Sequence, residues 1–113
     1  MVNKICLLAT LFLNNCVKKI NCLELEKLNR QQECISIVIE TPIYADKFLS
    51  NGINPYSNKK CNCVEKDRWW RNYIDEISVG DTIIKKKGEL IFSIHKKDTI
   101  ISHYWKCEGK NYK

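Results

Sequence analysis

The stretch SVGDTIIKKKGELIFSIHKKDTIISHYWKC, residues 78–107, decides the fold. It contains three segments rich in β-branched and aromatic residues, which are 81–86, 89–95 and 99–107. In the middle segment apolar residues alternate with other residues, as in a strand that buries one face. Short connections at Gly88 and at the Lys-Lys-Asp sequence join the segments. The pattern therefore predicts a β-meander of three antiparallel strands.

A helix is predicted immediately before the meander, over residues 64–77 (VEKDRWWRNYIDEI). Its apolar residues recur at helical spacing, at Trp70, Tyr73, Ile74 and Ile77. Trp69 lies off that stripe and is predicted to be partly exposed. We expect Gly80 to allow a sharp change of direction from helix to strand. We expect Asp81 to stabilise that turn by hydrogen bonds to nearby backbone.

Upstream of the helix the pattern is weaker. Residues 34–41 (CISIVIET) are rich in isoleucine and predict a strand, whereas 42–63 contain Pro42, Gly52 and Pro55 and predict a long loop. Residues 16–33 predict either a tether or a short helix. Residues 34–113 are long enough for one domain and not two.

The predicted fold class is α+β, with one amphipathic helix packed on a small antiparallel β-meander that could curl toward a half-barrel. The predicted core is drawn from all these segments. Its members are Ile37, Ile39, Trp70, Tyr73, Ile74, Ile77, Ile84, Leu90, Phe92, Ile94, Ile101 and Trp105.

The first residues resemble an export signal. Lys4 precedes the apolar run Ile5 to Leu13, which is well short of the ~20 residues that span a bilayer. Residues 1–15 are therefore predicted to be a signal peptide. The alternative is that this run forms a buried strand or core helix of an intracellular protein.

The sequence Leu13-Asn14-Asn15-Cys16 resembles the lipobox of bacterial lipoproteins, although that family prefers small residues where the two asparagines stand. The resemblance implies that Cys16 becomes the lipidated first residue of the mature chain. We expect the protein to be held on a membrane by this lipid. Its predicted location is the cell envelope, facing the periplasm or the cell surface.

Seven cysteines are present, and five remain after Cys6 and Cys16 are set aside. An odd number leaves at least one without a partner inside the chain. In an oxidising compartment we expect Cys61 or Cys63 to pair with Cys107. The alternative is free buried thiols.

Net charge is +6, and it is concentrated after residue 58, where 13 Lys and Arg face 8 Asp and Glu. Lys85, Lys86, Lys87, Lys96 and Lys97 are the candidate anion-binding residues. With Trp69 or Trp105 for stacking, they could form a basic module for an anionic glycan or a nucleic acid. The alternative is a solvated lysine-rich surface, and we expect no nucleic-acid partner.

No familiar catalytic motif occurs in the sequence, and with four glycines a phosphate-cradling loop is not expected. A Cys107–His103 pair could in principle make a nucleophile, but a histidine on a strand face is the simpler interpretation. The Cys61-Asn62-Cys63 spacing has no second close pair to complete a zinc site. We therefore predict no enzyme activity, no cofactor and no metal, and the sequence identifies no small-molecule substrate. The protein is expected to be an interaction or structural domain of the envelope.

Residues 78–90 (SVGDTIIKKKGEL), the sequence KKDT at 96–99 and the ending WKCEGK at 105–110 resemble small exported proteins of Bacteroidota. The shared pattern is VGDxIxKKxG after a hydrophobic helix. The resemblance covers about residues 64–110, and it implies an exported protein but no activity, cofactor or substrate.

Overall fold

The computed structural model describes residues 21–113. The α+β architecture with a β-meander is confirmed. The half-barrel is not confirmed. In chain order the elements are α1 (Cys22–Gln31), β1 (Cys34–Val38), β2 (Ile43–Tyr44), β3 (Phe48–Ile53), β4 (Lys60–Glu65), a 3₁₀ helix (Trp70–Glu76), β5 (Thr82–Lys85), β6 (Ile91–His95), β7 (Ile100–Tyr104), β8 (Lys106–Cys107) and β9 (Lys110–Asn111).

Seven strands form one antiparallel sheet in the order β2-β3-β1-β5-β6-β7, and β4 pairs with β3. The meander β5-β6-β7 lies where the sequence predicts it, with Ile83 opposite Ile94 and Ile94 opposite Ile101. The remaining strands, β8 and β9, form a separate hairpin at the C-terminus. The turn before β5 is also as predicted. Gly80 has φ +98°, and the Ser78 N–H donates to Asp81 Oδ2 over 2.8 Å.

The predicted helix at 64–77 is wrong in its extent and type. Residues up to Glu65 belong to β4, and a 3₁₀ helix of seven residues follows only at Trp70. Glu65 explains the break, because its Oε1 accepts the Trp70 N–H over 2.8 Å and so folds the chain back between them. Trp69 is consequently buried, with 4% exposed, contrary to the prediction.

Residues 42–63, predicted to be a loop, form β2, β3 and most of β4. Gly52 lies inside β3 because β1 passes very close to it. A β-carbon at Gly52 would lie 2.3 Å from the Ile37 carbonyl oxygen, so only glycine fits. The strand therefore contains a glycine that was predicted to lie in a loop.

The predicted inward face of β1 is wrong by one residue. Cys34, Ser36 and Val38 are buried, whereas Ile39 is 41% exposed. The inner-face side chain that approaches Gly52 is the small Ser36, whose Oγ would collide with a β-carbon there. Ile37 and Ile84, also predicted to be core residues, are half-exposed because they lie on the outer face of the sheet.

The rest of the core follows the prediction. Trp70, Ile77, Leu90, Phe92, Ile94 and Trp105 are buried, and Tyr73, Ile74 and Ile101 pack against them in part. The rings of Trp70 and Phe92 stack with centroids 5.3 Å apart, and Phe48 meets Trp70 edge-on at 5.8 Å. These aromatic side chains fill the space between the sheet and the 3₁₀ helix.

Residues 22–31 form a helix rather than an extended tether. The Asn21 side chain caps it by accepting the Glu24 N–H over 3.2 Å. Asn29 is the one fully buried residue of α1. The helix nevertheless belongs to the fold, because a disulfide and several polar contacts described below join it to the sheet.

Candidate functional site

A cleft of about 520 Å³ opens between α1, the segment before the 3₁₀ helix, and β8. This volume lies in the range typical of small-molecule sites, about 300–1,000 Å³. Its lining combines aromatic, amide and charged side chains. The lining residues are Leu25, Asn29, Lys66, Asp67, Arg68, Trp69, Asn72, Tyr73, Trp105, Lys106, Cys107 and Glu108.

Asn29 joins two walls of the cleft. Its amide fits the orientation in which Oδ1 accepts the Trp105 Nε1–H over 2.9 Å and Nδ2 donates to Asp67 Oδ2 over 3.2 Å. A buried amide with both ends satisfied is held rigidly. The Trp105 ring and the Asp67 carboxylate are thereby fixed relative to α1.

Trp69 forms another part of the wall, and Glu65 determines its position. The side chain of Glu65 is completely buried, and burial raises the pKa of this carboxyl to about 7. Through its bond to Trp70 it holds the turn that contains Trp69. The Nε1–H of Trp69 finds no acceptor among residues 21–113. This indole nitrogen is itself buried, so it is not exposed to the cleft.

A second cluster of polar side chains adjoins the cleft through Tyr73. His103 Nε2 lies 2.7 Å from Glu76 Oε1, and the Tyr73 ring stacks on the His103 ring with centroids 3.6 Å apart. The Cys107–His103 nucleophile is ruled out, because the sulfur of Cys107 is bonded to another cysteine and has no thiol. The cluster fixes the orientation of Tyr73.

The cysteine pairing differs from the prediction. Cys107 pairs with Cys22, 85 residues away, and Cys63 pairs with Cys34. The prediction missed both partners because it left Cys22 in a tether and Cys34 at the edge of the domain. Of the described cysteines, Cys61 alone is free, and it is half-buried on β4.

The prediction that Lys85 binds an anion at the surface is wrong. It is completely buried, and its Nζ donates to the carbonyls of Arg30 (3.3 Å), Gln32 (2.7 Å) and Lys86 (3.0 Å). Burial lowers its pKa to about 8, so it still carries charge at pH 7. An ammonium has three N–H donors, so these carbonyls occupy all of them. Lys85 attaches the end of α1 to the sheet.

The other four candidate lysines do not form one patch. Lys86 and Lys87 follow β5, whereas Lys96 and Lys97 follow β6, which is antiparallel to it. The two pairs therefore lie at opposite ends of the sheet. Lys96 is moreover paired with the Asp81 carboxylate. These four lysines therefore do not form a single basic surface.

A group of isoleucines lies on the outer face of the sheet, on the side away from Phe92, beside polar residues such as Ser93 and Ser102. Ile35 pairs with Ile84 across β1 and β5, and Ile37 pairs with Ile53 across β1 and β3. All four side chains are partly exposed. Most sheets that face water on one side carry polar residues there. The four isoleucines thus form a small, partly buried apolar patch on a face of mixed polarity, which we call the outer isoleucine patch.

Cys16, the predicted lipidation site, and the predicted signal peptide lie outside the described residues. Within residues 21–113 no helix has both the length and the apolar character needed to cross a membrane. In the same range, no three His, Cys, Asp or Glu side chains are grouped so that they could hold a metal ion.

The chain was compared with protein families, with curated proteins and with solved structures. No protein-family model matches the chain, and neither the curated proteins nor the solved structures contain a match.

Proposed function

We propose that this protein is an exported domain, tethered by a lipid on Cys16, that acts by contact rather than by catalysis. The observation that carries the proposal is the pair of disulfides, Cys22–Cys107 and Cys34–Cys63. Structural disulfides persist in oxidising compartments such as the bacterial periplasm and are rare in the cytosol. Both bonds join distant parts of a small chain, where such cross-links stabilise most.

The position of the first disulfide also suits a tether. Five residues separate Cys16 from Cys22, so the linking segment can span at most about 20 Å. A lipid on Cys16 would hold α1 and the cleft beside it close to the membrane surface. The outer isoleucine patch supports a role through contact with another molecule, because apolar side chains left partly open to solvent are available for contact with a partner.

The experiment is metabolic labelling of the full chain with radioactive palmitate in a bacterium, followed by fractionation and intact-mass measurement. We expect the label in the membrane fraction, on a mature chain beginning at Cys16. Cys16→Ser should abolish the label. The matched control Cys6→Ser changes a cysteine of the discarded segment and should retain it.

The same material tests the compartment. Alkylation of the folded and then of the reduced chain should reveal four cysteines protected by disulfides among residues 21–113. An unmodified chain of full-length mass in the cytosol, with all its cysteines open to alkylation, would defeat the proposal.

A further inference from the structure

We propose that this chain pairs with a second copy of itself along the outer edge of β7, so that the two sheets join across a two-fold axis at Ser102. The proposal rests on the proposed function for the kind of role involved, action by contact, and it names the partner. The pairing itself depends on β7 and on the residues that flank it.

The first argument is the set of open backbone groups along β7, the last strand of the sheet. Within residues 21–113 no strand pairs with its outer edge. In the β6–β7 hairpin the Trp105 N–H donates to the Leu90 carbonyl over 2.9 Å, and the Lys96 N–H donates to the Thr99 carbonyl over 2.8 Å. Bonded pairs alternate along antiparallel strands, so the odd-numbered residues of β7 direct their backbone groups to β6. The residues that direct theirs away from the sheet are Ile100, Ser102 and Tyr104.

The second argument is that β7 lacks the usual protection of an edge strand. Natural edges are kept from pairing by short strands, lysines, prolines or bulges. β7 has five residues (IISHY), and none of them is Lys, Arg, Asp, Glu or Pro. By contrast, β2 has only two residues, and β4, which pairs only with β3, begins with Lys60. The edge of β7 is therefore the one best suited to pairing.

The third argument is that this edge is complementary to itself. An antiparallel pairing centred on Ser102 places Ile100 of each copy opposite Tyr104 of the other, and these side chains are 59% and 40% exposed. Each opposed pair would exchange two backbone hydrogen bonds. An aromatic side chain opposite a β-branched one is a favourable cross-strand pair. In the same register the exposed Asp98 approaches the exposed Lys106 of the other copy, which has the opposite charge.

A strand from a different protein fits less well. It would gain the backbone hydrogen bonds, whereas a second copy gains the side-chain and charge pairs as well. Pairing along five residues is a small contact, and a lipid tether would favour it by raising the local concentration of both copies.

The first test is cross-linking of the full chain in a bacterium. Ser102→Cys places one cysteine of each copy beside the two-fold axis, where the Cα atoms of a bonded antiparallel pair are about 5.5 Å apart, a separation that a disulfide spans. After mild oxidation we expect a dimer on a non-reducing gel that disappears with reductant. Tyr56→Cys is the matched control, because its exposed side chain lies in the turn between β3 and β4. It should give no more dimer than the unsubstituted chain.

The second test is sedimentation equilibrium of the purified full chain in mild detergent. Ser102→Lys sets two ammonium groups opposite each other and should raise the dissociation constant of the dimer at least about tenfold. Asn62→Lys is the matched control, because Asn62 faces outward from β4 as Ser102 does from β7. It should leave the dissociation constant unchanged. Asp98→Lys and Lys106→Asp should each weaken the dimer, and the two together should restore it.

Three results would overturn the proposal: cross-linking of Ser102→Cys no stronger than that of Tyr56→Cys, equal weakening by the two lysine variants, or a cross-link to a different protein in place of the dimer. A dimer of a chain that takes up no palmitate would leave the pairing intact and defeat the tether. A labelled chain without the cross-link would do the reverse, so the two failures are separately visible.

Discussion

The aromatic core under the sheet and the attachment of α1 are built by different means. Phe92 is completely buried and contacts the rings of Trp69, Trp70 and Tyr73, with centroid distances of 5.3–6.3 Å. Burial of such rings gives cooperative stability, because each one is packed by several others. This region should unfold only when the whole domain unfolds.

The attachment of α1 relies instead on polar contacts and one covalent bond. Arg30 Nη1 donates to the Gly88 carbonyl over 2.8 Å, Lys85 donates to the last carbonyls of the helix, and Cys22 is bonded to Cys107. Among its residues only Asn29 is fully buried. A region with few buried apolar contacts opens locally more readily than the core. The wall of the cleft formed by α1 is therefore held less firmly than the wall formed by residues next to the aromatic core.

The largest expected effect comes from emptying the core. Phe92→Ala should lower the free energy of unfolding by about 3–5 kcal/mol, because the surrounding rings cannot close the cavity. Chemical denaturation followed by tryptophan fluorescence measures it. The control is Tyr56→Ala, since that side chain is 80% exposed and should change stability little. A loss below that of the control would mean that the stacked rings are not the main source of stability.

The next largest effect is a dependence of the free energy of unfolding on pH, caused by the buried Glu65 carboxyl in β4. The pKa of Glu65 is raised from 4.5 to about 7, so the folded chain binds this proton more tightly than the unfolded chain. The free energy of unfolding should therefore fall between pH 4.5 and pH 7, by up to about 3 kcal/mol, and level off above pH 7. Denaturant titrations at several pH values measure the slope.

Glu65→Gln provides the comparison, because it keeps the shape of the side chain and removes the titration. Its stability should change less over the same pH interval. A parallel pH profile for both chains would show that other groups produce the slope.

The smallest effect should be confined to α1. Lys85→Met leaves the carbonyls of Arg30 and Gln32 without their donor, which costs about 1–3 kcal/mol. Hydrogen exchange should accelerate most in residues 22–31 and little in β6. Lys86→Met, the exposed neighbour, is the matched control. Equal acceleration in both regions would show that the helix and the core open together.

Much of the meander was predictable from sequence, whereas the strands before it were not. The alternation of Leu90, Phe92 and Ile94 gave the correct buried face, because that part of the sheet packs against large rings. In β1 the same logic selected the isoleucines and failed. The inner face there is limited by the approach of β1 to Gly52, a long-range contact that no local pattern records.

The cleft could be predicted only in part. Trp69 and Trp105 were singled out for stacking, but with lysines that the fold places elsewhere. Asn29 and Lys106 were missed, since nothing local links residue 29 to residue 105. Cysteine spacing likewise does not give connectivity. Only the fold brings Cys22 to Cys107, and with it α1 to the rim of the site.

That disulfide also determines how the molecule bears mechanical load. A pull applied between residue 21 and residue 111 passes through Cys22 directly to Cys107. Tension between these two points would therefore stretch the hairpin of β8 and β9 and leave the strands between Cys22 and Cys107 unloaded. A domain attached to a moving surface would keep its shape under such strain for as long as that single sulfur–sulfur bond stayed oxidised.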